Sequence, residues 1–115
     1  MGGFAASHHG TVARLEERGE AKLICTCDPR AREFGPQQQQ WKFGARGVQV
    51  FDDYQAMLAA CHRELDCVVI PTPIQLHAEM HGAAAALGLA SYLEKPATLD
   101  YAELERMIAT DARLP

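Results

Sequence analysis

The chain has 115 residues, 48% of them apolar and 23% charged, which is the composition of an ordinary globular protein of at most one domain. Its formal net charge of −4, with the basic residues scattered along the chain, gives no electrostatic basis for binding nucleic acid. No apolar run approaches the ~20 residues that span a bilayer, and residues 1–20 lack the basic start and apolar core of a signal peptide, so we expect a cytoplasmic protein that does not bind membranes.

Helical and extended patterns alternate through the first half of the chain. Val12 and Leu15 recur at helical spacing, and Gly19 is a typical helix end. Asp52 and Gln55 have the spacing of a capping box, which predicts a helix running to Cys61. The other predicted elements of this half are a helix over 5–18, a strand over 21–27, a helix over 29–43 broken at Gly35-Pro36, and a strand over 47–51.

The second half continues the alternation. Residues 65–70 are near-continuous Leu, Val and Ile, which is typical of a strand buried on both faces. A helix follows over 76–87, then a strand over 89–94, and Asp100 with Glu103 caps a final helix through Ala109. This order predicts an α/β fold with a doubly wound parallel sheet and helices on both faces.

The four cysteines contain no Cys-x-x-Cys pair, so a zinc site is not indicated. Cys25, Cys27 and Cys67 lie in apolar, strand-like segments. Free thiols in such places behave as small hydrophobic residues, and we expect them to be buried.

The N-terminus runs through two glycines straight into a helix. A dinucleotide-binding turn has the pattern G-x-G-x-x-G or A between a strand and a helix. Gly2 fits the second glycine and Ala5 the third position, whereas the first glycine would fall one place before Met1, and no strand precedes it. A flexible N-terminus is the alternative interpretation.

Asp28 lies at the end of the strand predicted over 21–27, 26 residues after Gly2. A carboxylate near this place accepts hydrogen bonds from the adenosine ribose of NAD and repels the 2′-phosphate of NADP. Arg30 and Arg32 weaken this preference, because either can meet a phosphate. The alternative for Asp28 is a simple turn residue before Pro29.

Two prolines around Thr72 form a rigid exit from the strand over 65–70, and this loop could line a nicotinamide ribose. His77 and His81 are four residues apart on a predicted helix, a spacing that can place two metal ligands on one face. No third ligand is apparent, so hydrogen-bonding or solvent-facing histidines are the favoured interpretation and we expect no metal.

Glu94-Lys95-Pro96 closes the last predicted strand. Proline disfavours helical backbone in the residue before it, so Lys95 is presented where the strand leaves the sheet. Ligands of open α/β sheets bind outside the carboxyl ends of the strands. A surface lysine in a strand-to-helix loop is the alternative.

Taken together, these motifs resemble the N-terminal half of the glucose–fructose oxidoreductase, inositol dehydrogenase and rhizopine-catabolism (Gfo/Idh/MocA) family. The resemblance covers nearly the whole chain. The segments that carry it are, in chain order, Gly2-Gly3-Phe4-Ala5, Cys27-Asp28, Pro71-Thr72-Pro73 with His77, and Glu94-Lys95-Pro96.

The resemblance implies a Rossmann domain that binds NAD, or less favourably NADP, in an enzyme that transfers hydride between a nicotinamide and a sugar, cyclitol or related polyol. Lys95 would be catalytic, orienting substrate and assisting proton transfer. The positions implied to contact the cofactor are Gly2, Gly3, Phe4 and Ala5 at the pyrophosphate, Asp28 at the adenosine ribose, Thr72, Pro73 and His77 along the cleft, and Glu94, Lys95 and Pro96 at the nicotinamide. Arg30, which can meet a phosphate, is a further candidate for a cofactor contact.

Two parts of the family pattern are missing: the first, central strand and the larger C-terminal substrate domain. We therefore expect residues 1–115 to be a partial dinucleotide-binding domain of a fragment that is inactive alone and of marginal stability, from an enzyme that could form a homo-oligomer. Two alternatives remain open: a non-catalytic nucleotide-binding or interaction module, and a non-functional gene fragment.

Overall fold

The computed structural model of the chain describes residues 1–114, so Pro115, the last residue of the predicted domain, lies outside the described residues. The helices are α1 (Phe4–Glu17), α2 (Gly35–Gln40), α3 (Phe43–Arg46), α4 (Tyr54–Cys61), α5 (His77–Ala86) and α6 (Tyr101–Asp111). The strands are β1 (Cys25–Cys27), β2 (Gln49–Phe51), β3 (Cys67–Ile70) and β4 (Ala90–Leu93). Among these residues no helix is both long and apolar enough to cross a membrane.

The chain forms two compact units, the first over Met1–Glu64 and the second from Leu65 onward. Each contains one two-stranded parallel sheet, β1 with β2 and β3 with β4. Each pair is joined by a helical connection, as parallel strands require. The predicted α/β class with parallel strands is confirmed, although the strands are shorter than the apolar runs that predicted them.

The core of the first unit contains the N-terminal residue itself. Met1 is buried with Ala31, Phe43 and Val48, and Leu23 packs against this group. A flexible N-terminus, the alternative considered for this segment, is therefore not what the structure shows. Burial of these apolar side chains fixes the start of α1 next to the connection between β1 and β2.

In the second unit α5 packs against both β3 and β4. Its small side chains allow a close approach, since Ala84 and Ala85 are buried. Helix α6 packs against α5 through the buried Met107, and an Asp111 carboxylate oxygen accepts a hydrogen bond from His81 Nε2 at 2.7 Å.

The prediction that the strand over 65–70 is buried on both faces is wrong. Val69 is 41% exposed and its register partner Tyr92 is 60% exposed. Cys67 lies on the same face and is also exposed, contrary to the expectation for its thiol. Successive side chains of a strand point to opposite faces, so only the face bearing the buried Ile70 is covered.

Two local predictions also need correction. The N-cap of α4 is Asp53, whose Oδ2 accepts from the Ala56 amide at 2.9 Å, and not Asp52. The helix predicted over 29–43 is interrupted at Gly35-Pro36 as expected, since a 3₁₀ turn over Ala31–Phe34 ends there and α2 begins with Pro36 in its first turn, where its N–H is not needed. However, α2 ends at Gln40, earlier than predicted, and the chain turns at Lys42, which has a positive φ of 53°.

Candidate functional site

The glycine turn is a tight entry into α1. Gly3 has a φ of 56°, a left-handed backbone that favours glycine, and the amides of Ala5 and Ala6 bond to the carbonyls of Gly2 and Gly3 at 3.2 Å. A Cβ on Gly2 would lie 3.2 Å from the Phe34 ring. The local backbone therefore favours glycine at position 3, and a side chain at position 2 would require a small shift of the Phe34 ring. The first turn of α1 leaves its amides without a side-chain cap.

Asp28 lies immediately after β1 with its carboxylate held in place. Its Oδ2 accepts from the Met1 ammonium at 2.6 Å and its Oδ1 from the Arg30 amide at 2.8 Å. Burial raises the pKa of Asp28, but these hydrogen bonds and the ammonium charge outweigh it, and the net effect lowers the pKa. A carboxylate has about four acceptor positions. Two therefore remain for hydroxyl donors, which fits a ribose diol.

The Arg30 guanidinium is exposed and pairs with Glu33, three residues later in the chain. Its Nε donates to Glu33 Oε2 at 2.8 Å. The structure therefore gives Arg30 two roles at this loop, a backbone donor to Asp28 and a side-chain donor to Glu33.

The end of the first sheet is acidic. Burial raises the pKa of the Cys27 thiol to about 11, and the charges of Asp53, Asp28 and Asp52 add to the increase. The register pairs Cys27 with Phe51, so the residues after both strands lie at one edge. Sequence reasoning missed Asp52 and Asp53 as neighbours of Asp28, although their place after the adjacent strand was the signal.

The second sheet also presents its predicted site residues at one edge. Ile70 pairs with Leu93, so the loops after β3 and β4 leave side by side, and the Glu94 amide bonds to the Ile70 carbonyl at 3.2 Å. The first loop carries Thr72 and the second carries Lys95. The two predicted segments are separated by helix α5 in the chain and are nevertheless neighbours at this edge of the sheet.

Lys95 is exposed near the start of the loop after β4. Its amide donates to Glu94 Oε2 at 3.2 Å, and the peptide joining it to Pro96 is cis. Pro73 and Pro96 are exposed as well, whereas Glu94 is half-buried. The Thr72 hydroxyl oxygen is buried without a hydrogen-bond partner among the described residues, a costly state that a polar ligand group would relieve.

His77 is the predicted site residue whose position differs most from expectation. Its side chain is 2% exposed and does not line an open cleft. Its Nε2 lies 2.9 Å from the Thr72 carbonyl, and its Nδ1 lies 3.1 Å from each of the Pro96 and Ala97 carbonyls. His81 bonds to Asp111, so both histidines are used in hydrogen bonds, the interpretation favoured from the sequence.

Comparison with solved structures shows that known dehydrogenases contain the same fold as this chain. The WlbA dehydrogenase of Bordetella pertussis, solved with NADH and UDP-GlcNAcA, matches 98% of this chain and 33% of its own, with 26% identity and a TM-score of 0.74. WlbA (WbpB) of Thermus thermophilus, solved with NAD and UDP-GlcNAcA, matches 97% of this chain and 36% of its own, with 25% identity and a TM-score of 0.77.

Two further relatives extend the comparison. Myo-inositol 2-dehydrogenase of Lactobacillus plantarum matches 81% of this chain and 26% of its own, with 26% identity and a TM-score of 0.62. A curated protein of Amycolatopsis mediterranei (strain S699), named "Putative UDP-kanosamine synthase oxidoreductase subunit", is 38% identical over 97 residues. That match covers 84% of this chain and 25% of the relative.

The chain thus spans about a quarter of the curated relative and about a third of the WlbA dehydrogenases. The family model described as an oxidoreductase family with an NAD-binding Rossmann fold matches residues 1–114. The resemblance predicted from the motifs is therefore confirmed, and the chain belongs to the Gfo/Idh/MocA oxidoreductase family, within its NAD-binding Rossmann fold.

Proposed function

We propose that this chain is the cofactor-binding portion of an oxidoreductase that transfers hydride between NAD and a hydroxyl carbon of a UDP-linked sugar. The sequence predicted a sugar, cyclitol or polyol. The WlbA structures hold UDP-GlcNAcA, and the curated relative is named for UDP-kanosamine, so the relatives favour a nucleotide-linked sugar within that class. Residues 1–115 are one partial dinucleotide-binding domain in this proposal, and the remaining part of the enzyme supplies the substrate pocket.

The observation that carries the proposal is the adjacency of Thr72 and Lys95 at the carboxyl edge of one parallel sheet. Ligands of open α/β sheets bind at this edge. The proposed cofactor contacts are the backbone of Gly2, Gly3, Phe4 and Ala5, the side chains of Asp28 and Arg30, and the loops with Thr72, Pro73, Glu94, Lys95 and Pro96.

Lys95 has the proposed catalytic role. The nicotinamide supplies the hydride acceptor, while the reacting hydroxyl must lose its proton and passes through a state with alkoxide character. An exposed lysine beside that oxygen would stabilise the developing negative charge as an ammonium, or would accept the departing proton as a neutral amine. Glu94 Oε2 accepts a hydrogen bond from the Lys95 amide, and this bond fixes the backbone from which the Lys95 side chain extends.

The acidic edge of the first sheet favours NAD over NADP. Asp52 and Asp53 reinforce the charge of Asp28, as the raised pKa of Cys27 indicates. A 2′-phosphate placed there would meet like charge. Arg30, the nearest candidate for a phosphate contact, already donates to Glu33. We also propose, as the sequence analysis expected, that the complete enzyme is cytoplasmic and could form a homo-oligomer.

Titration of the chain with NADH and NADPH by isothermal calorimetry tests the cofactor proposal. We expect Asp28→Ala to weaken NADH binding about tenfold, because hydrogen bonds to a charged acceptor are lost, and to weaken NADPH binding less. Glu105→Ala, which removes an exposed carboxylate from α6 in the other unit, is the control and leaves the ratio of the two affinities unchanged. Equal losses for both cofactors on Asp28→Ala would remove Asp28 as a selectivity residue, and absence of NADH binding would refute the proposal.

A further inference from the structure

His77 is a buried polar side chain that joins two loops. It is the first residue of α5, and its ring is one of the largest fully enclosed side chains of the second unit. Its three ring contacts are all with backbone carbonyls, those of Thr72, Pro96 and Ala97, at 2.9 to 3.1 Å. Thr72 lies in the loop after β3, and the other two lie in the loop after β4.

The chemistry of these contacts gives them a direction. A carbonyl oxygen only accepts hydrogen bonds, so each contact requires a hydrogen on the ring nitrogen that makes it. Nδ1 faces the Pro96 and Ala97 carbonyls and Nε2 faces the Thr72 carbonyl, and the tautomer of the ring decides which nitrogen donates. The same buried ring therefore contacts both loops.

The loop after β4 depends on such an anchor. Proline has no N–H, so Pro96 can be held through hydrogen bonds only by its carbonyl. That carbonyl lies one peptide from Lys95, whose side chain is exposed. Further along the loop, the Thr98 hydroxyl donates to Glu103 and accepts from the Asp100 amide, which ties the other end of the loop to α6.

We propose that His77 is the positioning residue for Lys95: its Nδ1 lies against the Pro96 and Ala97 carbonyls, its Nε2 lies against the Thr72 carbonyl, and the buried ring thereby fixes the two loops relative to each other. His77 acts through the backbone and does not touch the cofactor, in contrast to the role expected from the sequence. The inference rests on the proposed function for the part that concerns catalysis, whereas the connection between the loops stands on the geometry alone.

Two substitutions separate the two ends of the ring. An asparagine amide nitrogen reaches the place of Nδ1, and a glutamine amide nitrogen reaches the place of Nε2. His77→Asn therefore keeps the contact to the loop after β4, and His77→Gln keeps the contact to Thr72. The pair is matched in polarity and hydrogen-bonding groups, so a difference between the variants reports which loop has lost its anchor.

Amide hydrogen exchange in the 115-residue chain is the first measurement. We expect exchange at Ala97, Thr98 and Leu99 to rise about tenfold in His77→Gln and much less in His77→Asn, after normalisation to Val68 and Val69 in β3. If the His77 ring served only core packing, both substitutions would raise amide exchange equally, and they would do so in β3 as much as in the loop. That result, or failure of both variants to fold, overturns the proposal.

Steady-state kinetics of the complete oxidoreductase with NAD and the UDP-linked sugar are the second measurement. We expect His77→Gln to lower kcat about tenfold with little change in the KM for NAD, and His77→Asn to retain most of kcat. An unchanged kcat in His77→Gln despite faster loop exchange overturns the positioning role. Loss of NADH binding in the unsubstituted chain would refute the proposed function and would leave the exchange result unaffected.

Discussion

His9 is a residue whose ionisation depends strongly on the packing of the first unit. Its ring stacks on Trp41 with centroids 4.8 Å apart and lies 5.2 Å from the Phe43 ring. Burial lowers the pKa of His9 to about 4, and the positive charges of the N-terminus and Arg46 add to the decrease. The neutral ring is therefore the form that the folded chain contains at pH 7.

This shift makes folding sensitive to mild acid. The unfolded chain takes up the His9 proton near its ordinary pKa of 6.5 and the folded chain only near a pKa of 4. Stability from this residue is thus complete above pH 6.5 and is lost as the pH falls towards 4. We expect a loss of about 2 kcal/mol between pH 7 and pH 5, measured by urea denaturation. His9→Gln should flatten this dependence, and an unchanged slope in that variant would contradict the assignment.

Lys95→Ala tests catalysis at the same scale. We expect kcat of the complete oxidoreductase to fall about 100-fold or more, because a preorganised charge at the developing alkoxide is lost, while the affinity for NAD changes little. Lys42→Ala is a control, since it also removes a lysine from a loop but lies in the other unit. Turnover that survives Lys95→Ala would remove Lys95 from the mechanism.

At the scale of elements, two adjacent aspartates allow a sharp test of helix capping. Asp53 accepts the Ala56 amide and begins α4, whereas Asp52 makes no cap to this helix. We expect Asp53→Ala to lower the free energy of unfolding by about 1 kcal/mol, the usual value of an N-cap. Asp52→Ala should change it by less than about 0.5 kcal/mol, as for an ordinary surface position. A larger effect at Asp52 in urea denaturation would restore the capping box predicted from the sequence.

The element order was predictable because hydrophobic periodicity is local. Residues 65–70 show a limit of hydrophobic periodicity. Both faces of this strand are apolar in sequence, so the pattern cannot predict that the face bearing Val69 is exposed, which depends on the elements that pack against the sheet. Helix α6 was predicted with its correct cap, since Asp100 accepts the Glu103 amide at 3.1 Å. The contacts of His77 with the Thr72, Pro96 and Ala97 carbonyls were not predicted for a related reason. Which backbone carbonyls of other loops approach a side chain cannot be read from a local sequence pattern.

At the scale of the whole molecule, the described residues form two sheets of two strands each. Two-stranded sheets are marginally stable, since each strand keeps an edge of unpaired backbone groups. We expect the isolated chain to unfold below about 50 °C in a thermal melt followed by circular dichroism. A cooperative transition above that temperature would show that the sheets are sufficient as they stand.

The ion pair between the Met1 ammonium and Asp28 has a practical consequence for preparing the protein. Any residue joined before Met1 converts that ammonium into a neutral amide and removes its positive charge from the Asp28 carboxylate. A purification tag at this end would alter the carboxylate that the cofactor titration is meant to probe. The affinity handle therefore belongs after residue 115, where it leaves the amino group free.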